Sequence, residues 1–188
     1  VSIYDHLQQE IVLLGPDGPS LGGFVCPATT VAAALWKLGQ LAPGDTVRFV
    51  PLTAAQAARA EAVQDEMVRW LARPEVGAGA SARFLVAVGS SVVGSGVLLH
   101  RRADGDRPSV TYRQSGDRNL LVEYGPDVLD LDLRLRVHAL MEWVEAQGFD
   151  GVIDVTPGIR SLQVHVDSRR VAVGDLLDAV VEAEAELP

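Results

Sequence analysis

The sequence predicts an α+β chain: a partial β-rich lobe over residues 1–53, a connecting helix and linker over 54–82, and a small α+β domain over 83–188 whose two helices pack on a sheet. Three observations predict this. Residues 15–27 place four glycines and three prolines in thirteen positions, which forbids a helix and signals turns between strands. From Glu75 to Ser81 the composition loosens into Gly, Ala and Ser, which marks the boundary. Beyond it, runs that alternate every second residue are interleaved with runs that repeat every third or fourth.

The elements follow in order. Ile11 to Leu14 is a short apolar run and reads as a buried strand feeding the glycine-rich loop. In that loop Pro16-Asp17-Gly18 is a turn signal, and Gly22-Gly23 lets the backbone come close to a neighbouring chain or a ligand. Ala32 to Leu41 reads as a short helix with Leu35, Leu38 and Leu41 on one face, stopped by Ala42-Pro43-Gly44-Asp45. Val47, Phe49 and Pro51 then alternate as a strand with its odd positions toward a core. Thr53 is a good N-cap for a helix from Ala54 to Arg73, with Val63, Met67, Trp70 and Leu71 as its apolar stripe and Pro74 past its end.

Arg83 to His100 is β-rich but broken by glycine and serine, and Arg101 to Pro108 reads as an exposed turn. Within it, Asp104-Gly105 closes a hairpin between Val97–Leu99 and Val110–Tyr112. Val110 to Ser115 and Asn119 to Tyr124 are strands joined by Gly116-Asp117-Arg118. Asp132 caps a helix running to Gln147, with Leu133, Val137, Leu140 and Val144 inward and Gly148 at its C′ position. Gly151 to Val155 is a strand, Pro157-Gly158 turns, and Leu162, Val164 and Val166 alternate along the next strand. Val173 to Leu187 is the last helix, with Leu176, Leu177, Val180 and Val181 inward and Glu182, Glu184 and Glu186 as a solvated end.

Composition excludes several functions. The net charge of −9 repels phosphate backbones, so nucleic-acid binding is not expected. No apolar run is long enough to cross a bilayer. The single cysteine, Cys26, allows no internal disulfide and no CxxC metal site; it reads as a small buried residue, and a cytoplasmic location follows. No GxSxG elbow supports a serine nucleophile, and Ser20 lacks an identifiable base. His138, one position from Val137 and two from Leu140, reads as a structural hydrogen-bonded residue at the edge of its helix's buried face, and His165 as facing away from the core. Neither they nor His6 and His100 show metal-ligand spacing. Fifteen of the sixteen basic residues are Arg; Lys37, the one Lys, lies in Trp-Lys-Leu, and no Gly-Lys-Ser/Thr loop is present.

Two blocks carry a resemblance. Pro16-Asp17-Gly18-Pro19-Ser20-Leu21-Gly22-Gly23-Phe24 is the first. The second runs from Tyr112-Arg113-Gln114-Ser115-Gly116-Asp117 through Leu120-Leu121-Val122-Glu123-Tyr124-Gly125 and Arg134–Met141 to Thr156-Pro157-Gly158-Ile159-Arg160-Ser161-Leu162. In order and spacing these resemble the carboxyltransferase region of the urea carboxylase and urea amidolyase family, as the end of one module joined to the start of a second. The resemblance implies a cyclophilin-like fold for the partial first lobe. It also implies a kinase-inhibitor-like α+β fold for the second module, and a fragment of a longer enzyme that is inactive alone. One interval departs from the family: Asp5 to Ile11 lacks the Gly and the Pro of the Phe-Thr-Gly-Asp-Met-Pro stretch expected there.

The activity implied is biotin-dependent transfer of a carboxyl group to urea or a urea-like acceptor such as guanidine. Lys37 is not in a biotinylation sequence, so biotin must arrive on a carrier domain elsewhere, and ATP must act in a separate biotin carboxylase domain. Gly22 and Gly23 are the residues expected to present backbone N–H donors to developing negative charge. Asp17 and Ser20 are expected to orient an acceptor N–H group. Arg113, Gln114 and Arg160 are polar groups beside turns, read either as substrate contacts or as surface or inter-domain salt bridges. A second functional class stays open: a non-catalytic accessory or binding module of the 5-oxoprolinase or kinase-inhibitor type.

Overall fold

Short strands hold only when their backbone N–H and C=O groups find partners, and the N-terminal strands find them in one another. The computed structural model describes residues 2–6, 10–14, 25–73 and 96–187, in two units, Val1–Val93 and Gly94–Pro188. In the first unit β1 (Ser2–His6) lies between β2 (Glu10–Leu14) and β3 (Val25–Thr29), antiparallel to both. Pro27 is tolerated in β3 because that strand is an edge and its register with β1 slips between Ile3 and Asp5. The apolar run at Ile11–Leu14 is thus a strand, as the sequence predicts. The glycine-rich loop 15–24, which joins β2 to β3, and the stretch 74–95 lie outside the described residues, as does the Cys26 side chain.

The helix expected over Ala32–Leu41 is shorter: a 3₁₀ turn at Ala32–Ala34 and a single α-turn, α1 (Leu35–Leu38). Leu35 and Leu41 are exposed. The strand expected at Val47–Pro51 does not form; residues 45–53 are irregular, and Val47 and Phe49 are exposed rather than turned to a core. Alternation over five residues gives no strand without a neighbour to pair with.

Thr53 caps α2 (Ala54–Leu71) through a capping box. Its hydroxyl accepts from the Gln56 N–H at 3.3 Å, and the Gln56 side-chain oxygen accepts from the Thr53 N–H at 2.9 Å. The stripe expected on α2 is displaced. Ala57 and Glu61 are the buried positions; Val63, Met67 and Trp70 are half-buried, and Leu71 is exposed.

The second unit is a five-stranded antiparallel sheet in the order β4-β5-β6-β8-β7. Its strands are β4 (Val97–Arg101), β5 (Val110–Gln114), β6 (Asn119–Tyr124), β7 (Val152–Pro157) and β8 (Ser161–Val166). The β4–β5 hairpin closes as expected around Asp104 and Gly105, the latter at φ +58°. Alternation buries Val110, Tyr112, Leu120, Val122, Tyr124, Leu162, Val164 and Val166 on one face. There they meet Leu133, Val137, Leu140 and Val144 of α3 (Leu131–Gln147) and Leu176 and Val180 of α4 (Val173–Glu186).

Two details differ from expectation. The N-cap of α3 is Asp130 rather than Asp132: its carboxylate accepts from the Asp132 N–H at 2.8 Å and the Leu133 N–H at 3.4 Å. Gly148 ends the helix in the left-handed region, φ +59°, as expected. Glu184 is no part of a solvated end. It is 4% exposed, because it lies four residues beyond Val180 and eight beyond Leu176 on the buried stripe.

Candidate functional site

The face of the second sheet away from the helices carries a charged cluster built from three segments. Cross-strand pairing sets Thr111 opposite Glu123 and Arg113 opposite Leu121. Since Tyr112, Val122 and Tyr124 point into the core, Arg113 and Glu123 share the other face as diagonal neighbours. Arg113 Nε donates to Glu123 Oε2 at 2.5 Å. The β7–β8 turn supplies the third member. Gly158 N–H donates to the Ser161 carbonyl at 2.6 Å, and a Cβ on Gly158 would lie 2.6 Å from the Ser161 hydroxyl, so the turn is tight.

That turn leaves Arg160 at the end of β6, where its own carbonyl accepts from the Tyr124 N–H at 2.8 Å. The Arg160 guanidinium reaches Glu123 Oε1 at 3.5 Å, Asp127 Oδ1 at 3.3 Å and the Tyr124 carbonyl at 3.3 Å. Glu123 therefore holds both arginines. The side chains of Glu123 and Arg160 are 21% and 22% exposed, against 39% for Arg113. The formal charges of Arg113, Arg160, Glu123 and Asp127 cancel. The cluster is a set of fixed N–H donors with little net field. Among the described residues Arg113 spends only Nε on Glu123, which leaves its terminal nitrogens for a planar anionic or carbonyl group.

Of the residues named from the sequence, Arg113 and Arg160 are brought together. Gln114 is not: it pairs with Leu120, so its side chain projects toward the core face, and its N–H donates to the Gly96 carbonyl at 2.8 Å. Asp17, Ser20, Gly22 and Gly23 lie outside the described residues. His138 is half-exposed with Nε2 3.3 Å from Glu142 one turn on. His165 lies opposite Asn119 and Asp154 on the open face. Nδ1 of His100 is 2.9 Å from the Thr111 hydroxyl. Among the described residues no group of His, Cys, Asp and Glu could hold a metal ion, and no helix is long and apolar enough to cross a membrane.

Sequence reasoning missed Glu123 as the centre of the cluster. The signal was present: Glu123 stands two residues from Leu121, which the four-residue connection after Gln114 sets opposite Arg113. A buried charged pair was missed too. Arg136 of α3 donates from Nε at 2.9 Å and from a terminal nitrogen at 2.7 Å to Glu184 Oε1 of α4, with side chains 9% and 5% exposed. Beside this pair are the buried hydroxyls of Tyr112 and Tyr124; that of Tyr112 has no hydrogen-bond partner among the described residues, and the Arg136 guanidinium lies 5.9 Å from the Tyr124 ring centroid. Burial first, and the Glu184 charge second, push the Tyr112 hydroxyl up to about 12. The same two causes push Tyr124 higher still, against an opposing effect of Arg136. Both phenols are therefore neutral at physiological pH.

Comparison with known proteins adds the following. Residues 6–51 match the family model described as carboxyltransferase domain, subdomain A and B, and residues 110–188 match carboxyltransferase domain, subdomain C and D. The chain is 36% identical over 178 residues to a urea amidolyase of Lachancea kluyveri, covering 95% of this chain and 10% of that protein. Among solved structures it superposes on the urea amidolyase of K. lactis with a TM-score of 0.81 at 33% identity, covering all of this chain and 11% of that one. On the urea carboxylase of Kluyveromyces lactis the TM-score is 0.78 at 33% identity, covering all of this chain and 16% of that one. The chain thus spans about a tenth of the length of the urea amidolyases it matches.

Proposed function

This chain belongs to the carboxyltransferase family of the urea carboxylases and urea amidolyases, and on that premise we propose that it forms part of the site where a carboxyl group passes from carboxybiotin to urea or a urea-like acceptor such as guanidine. The observation that carries the proposal is the Glu123-centred pair, which fixes Arg113 and Arg160 from separate segments within the stretch that matches subdomains C and D. Carboxybiotin supplies an activated carboxyl group, whose planar anionic oxygens suit the terminal nitrogens of a fixed guanidinium.

In this reading the chain's own residues have distinct tasks. Arg113 and Arg160 bind and orient the carboxyl oxygens, and Glu123 keeps both guanidiniums in register. Gln114 belongs to the site only through its backbone position beside Arg113. For the first unit taken by itself, Gly22 and Gly23 are assigned as N–H donors to developing negative charge, and Asp17 and Ser20 as acceptors from an acceptor's N–H groups. We assign residues 1–53 to the end of the first module, 54–82 to a connecting helix and linker, and 83–188 to the start of the second. Biotin carboxylase and biotin carrier domains, and ATP with the former, belong to the longer polypeptide in a cytoplasmic setting. Matches to urea carboxylase relatives run through both modules, which supports this reading over an accessory module of the 5-oxoprolinase or kinase-inhibitor type.

The loop tests it. In the full-length enzyme, Gly23→Val should lower carboxyl transfer from free carboxybiotin by about 10²–10³, the typical loss for one oxyanion donor, with the melting temperature unchanged. Normal transfer by a stably folded Gly23→Val enzyme would overturn the loop's assigned role.

A further inference from the structure

The start of α3 carries apolar side chains on two faces. Leu133, Val137, Leu140 and Val144 are buried against the sheet, as an amphipathic helix requires. Leu131 and Leu135, one turn apart, face solvent at 71% and 55% exposure. The segment leading into the helix adds Val128 and Leu129, the latter 85% exposed. The Arg160 guanidinium reaches Asp127 at 3.3 Å, just ahead of this ledge. Single exposed apolar residues need no explanation, but four clustered around one helix start mark an interaction surface.

We propose that this ledge docks a surface with an apolar centre and a basic rim, on a domain outside these 188 residues. The rim of the ledge sets the sign. Asp127, Asp130 and Asp132 are all exposed, Asp127 almost completely, and among the described residues the only cation paired to them is Arg160, on Asp127. A complementary surface must bring Lys or Arg to these carboxylates. That condition disfavours a second copy of this chain. An isologous contact would set the three Asp of one copy against the same three of the other, in a chain of net charge −9. Other domains are at hand in the relatives, of which this chain covers 10–16%.

The composition of the chain makes the test clean. Lys37 is its sole lysine, so a zero-length carbodiimide cross-link from Asp127, Asp130 or Asp132 to any other lysine reports a contact outside this segment. The experiment is carbodiimide cross-linking of the full-length polypeptide, followed by mass spectrometry of peptides spanning residues 127–132. The proposal expects links to lysines outside residues 1–188. It also expects their yield to fall about tenfold or more in a Leu129→Ser/Leu131→Ser variant, as truncating the centre of an interface does. Both side chains are exposed, so α3 should keep its helicity by circular dichroism. Absence of such links, links to Lys37 alone, or a yield indifferent to the two substitutions would each overturn it.

Discussion

Arg113 and Glu123 meet diagonally across β5 and β6, Nε to Oε2 at 2.5 Å, on the sheet face that the helices leave open. Glu123 also engages Arg160, so its removal should release two guanidiniums at once. Glu123→Ala should therefore lower carboxyl transfer by about 10²-fold, the scale of a misplaced binding group. Stability should change by less than about 1 kcal/mol, since these are partly exposed ion pairs. Kinetics and thermal melting of the full-length enzyme separate the two effects. A loss of stability without a loss of turnover would make the cluster a structural salt bridge.

The buried pair behaves in the opposite way. Glu184→Ala leaves the Arg136 guanidinium nearly buried without its carboxylate, which should cost about 3–5 kcal/mol. Replacing both together, Arg136→Met with Glu184→Leu, should be close to neutral, because no charge is then left unpaired. Thermal melts of the single and double variants check this. A double variant as unstable as Glu184→Ala would refute it.

Tyr112 gives a pH dependence with a definite sign. Its hydroxyl is raised to about 12 in the fold and titrates near 10 in the unfolded chain. Its contribution is complete below pH 10 and is lost as pH rises toward 12, since the unfolded chain sheds its proton first. Tyr112→Phe should be nearly neutral at pH 7, where the hydroxyl has no partner to lose. It should melt higher than the parent at pH 11. Equal melting temperatures at pH 11 would show that the phenol is not held neutral.

The cap of α3 is a smaller test. Asp130→Ala should cost about 1 kcal/mol, as loss of an N-cap does. Asp132→Ala should cost only a few tenths, the share of a first-turn carboxylate near the helix dipole. The reverse order would restore Asp132 as the cap.

The second unit was legible in the sequence wherever a periodic pattern met a partner. Leu162, Val164 and Val166 alternate, and all three are fully buried; the α3 stripe and Gly148 stand where spacing places them. Val47–Pro51 alternates equally well but pairs with no strand among the described residues and stays irregular. Glu182, Glu184 and Glu186 read as one acidic end only when helical rotation is ignored. Residues two apart on a helix point about 200° apart, so Glu184 alone turns inward. Arg113 and Arg160 were visible as polar groups beside turns, and the short β5–β6 connection signals Glu123 beside Arg113, but Arg160 reaches Glu123 only through a β6–β8 pairing that no local signal gives.

Acceptor-dependent carboxyl transfer is the property from which every role assigned to these residues follows. The direct measurement supplies chemically prepared free carboxybiotin to the full-length polypeptide with urea, with guanidine, or with neither, and quantifies the N-carboxylated product against an enzyme-free control. This chain's assignment predicts product with at least one acceptor and a loss of about 10²-fold in Glu123→Ala. Transfer no faster than the control with either acceptor, from an enzyme shown to be folded, would contradict it.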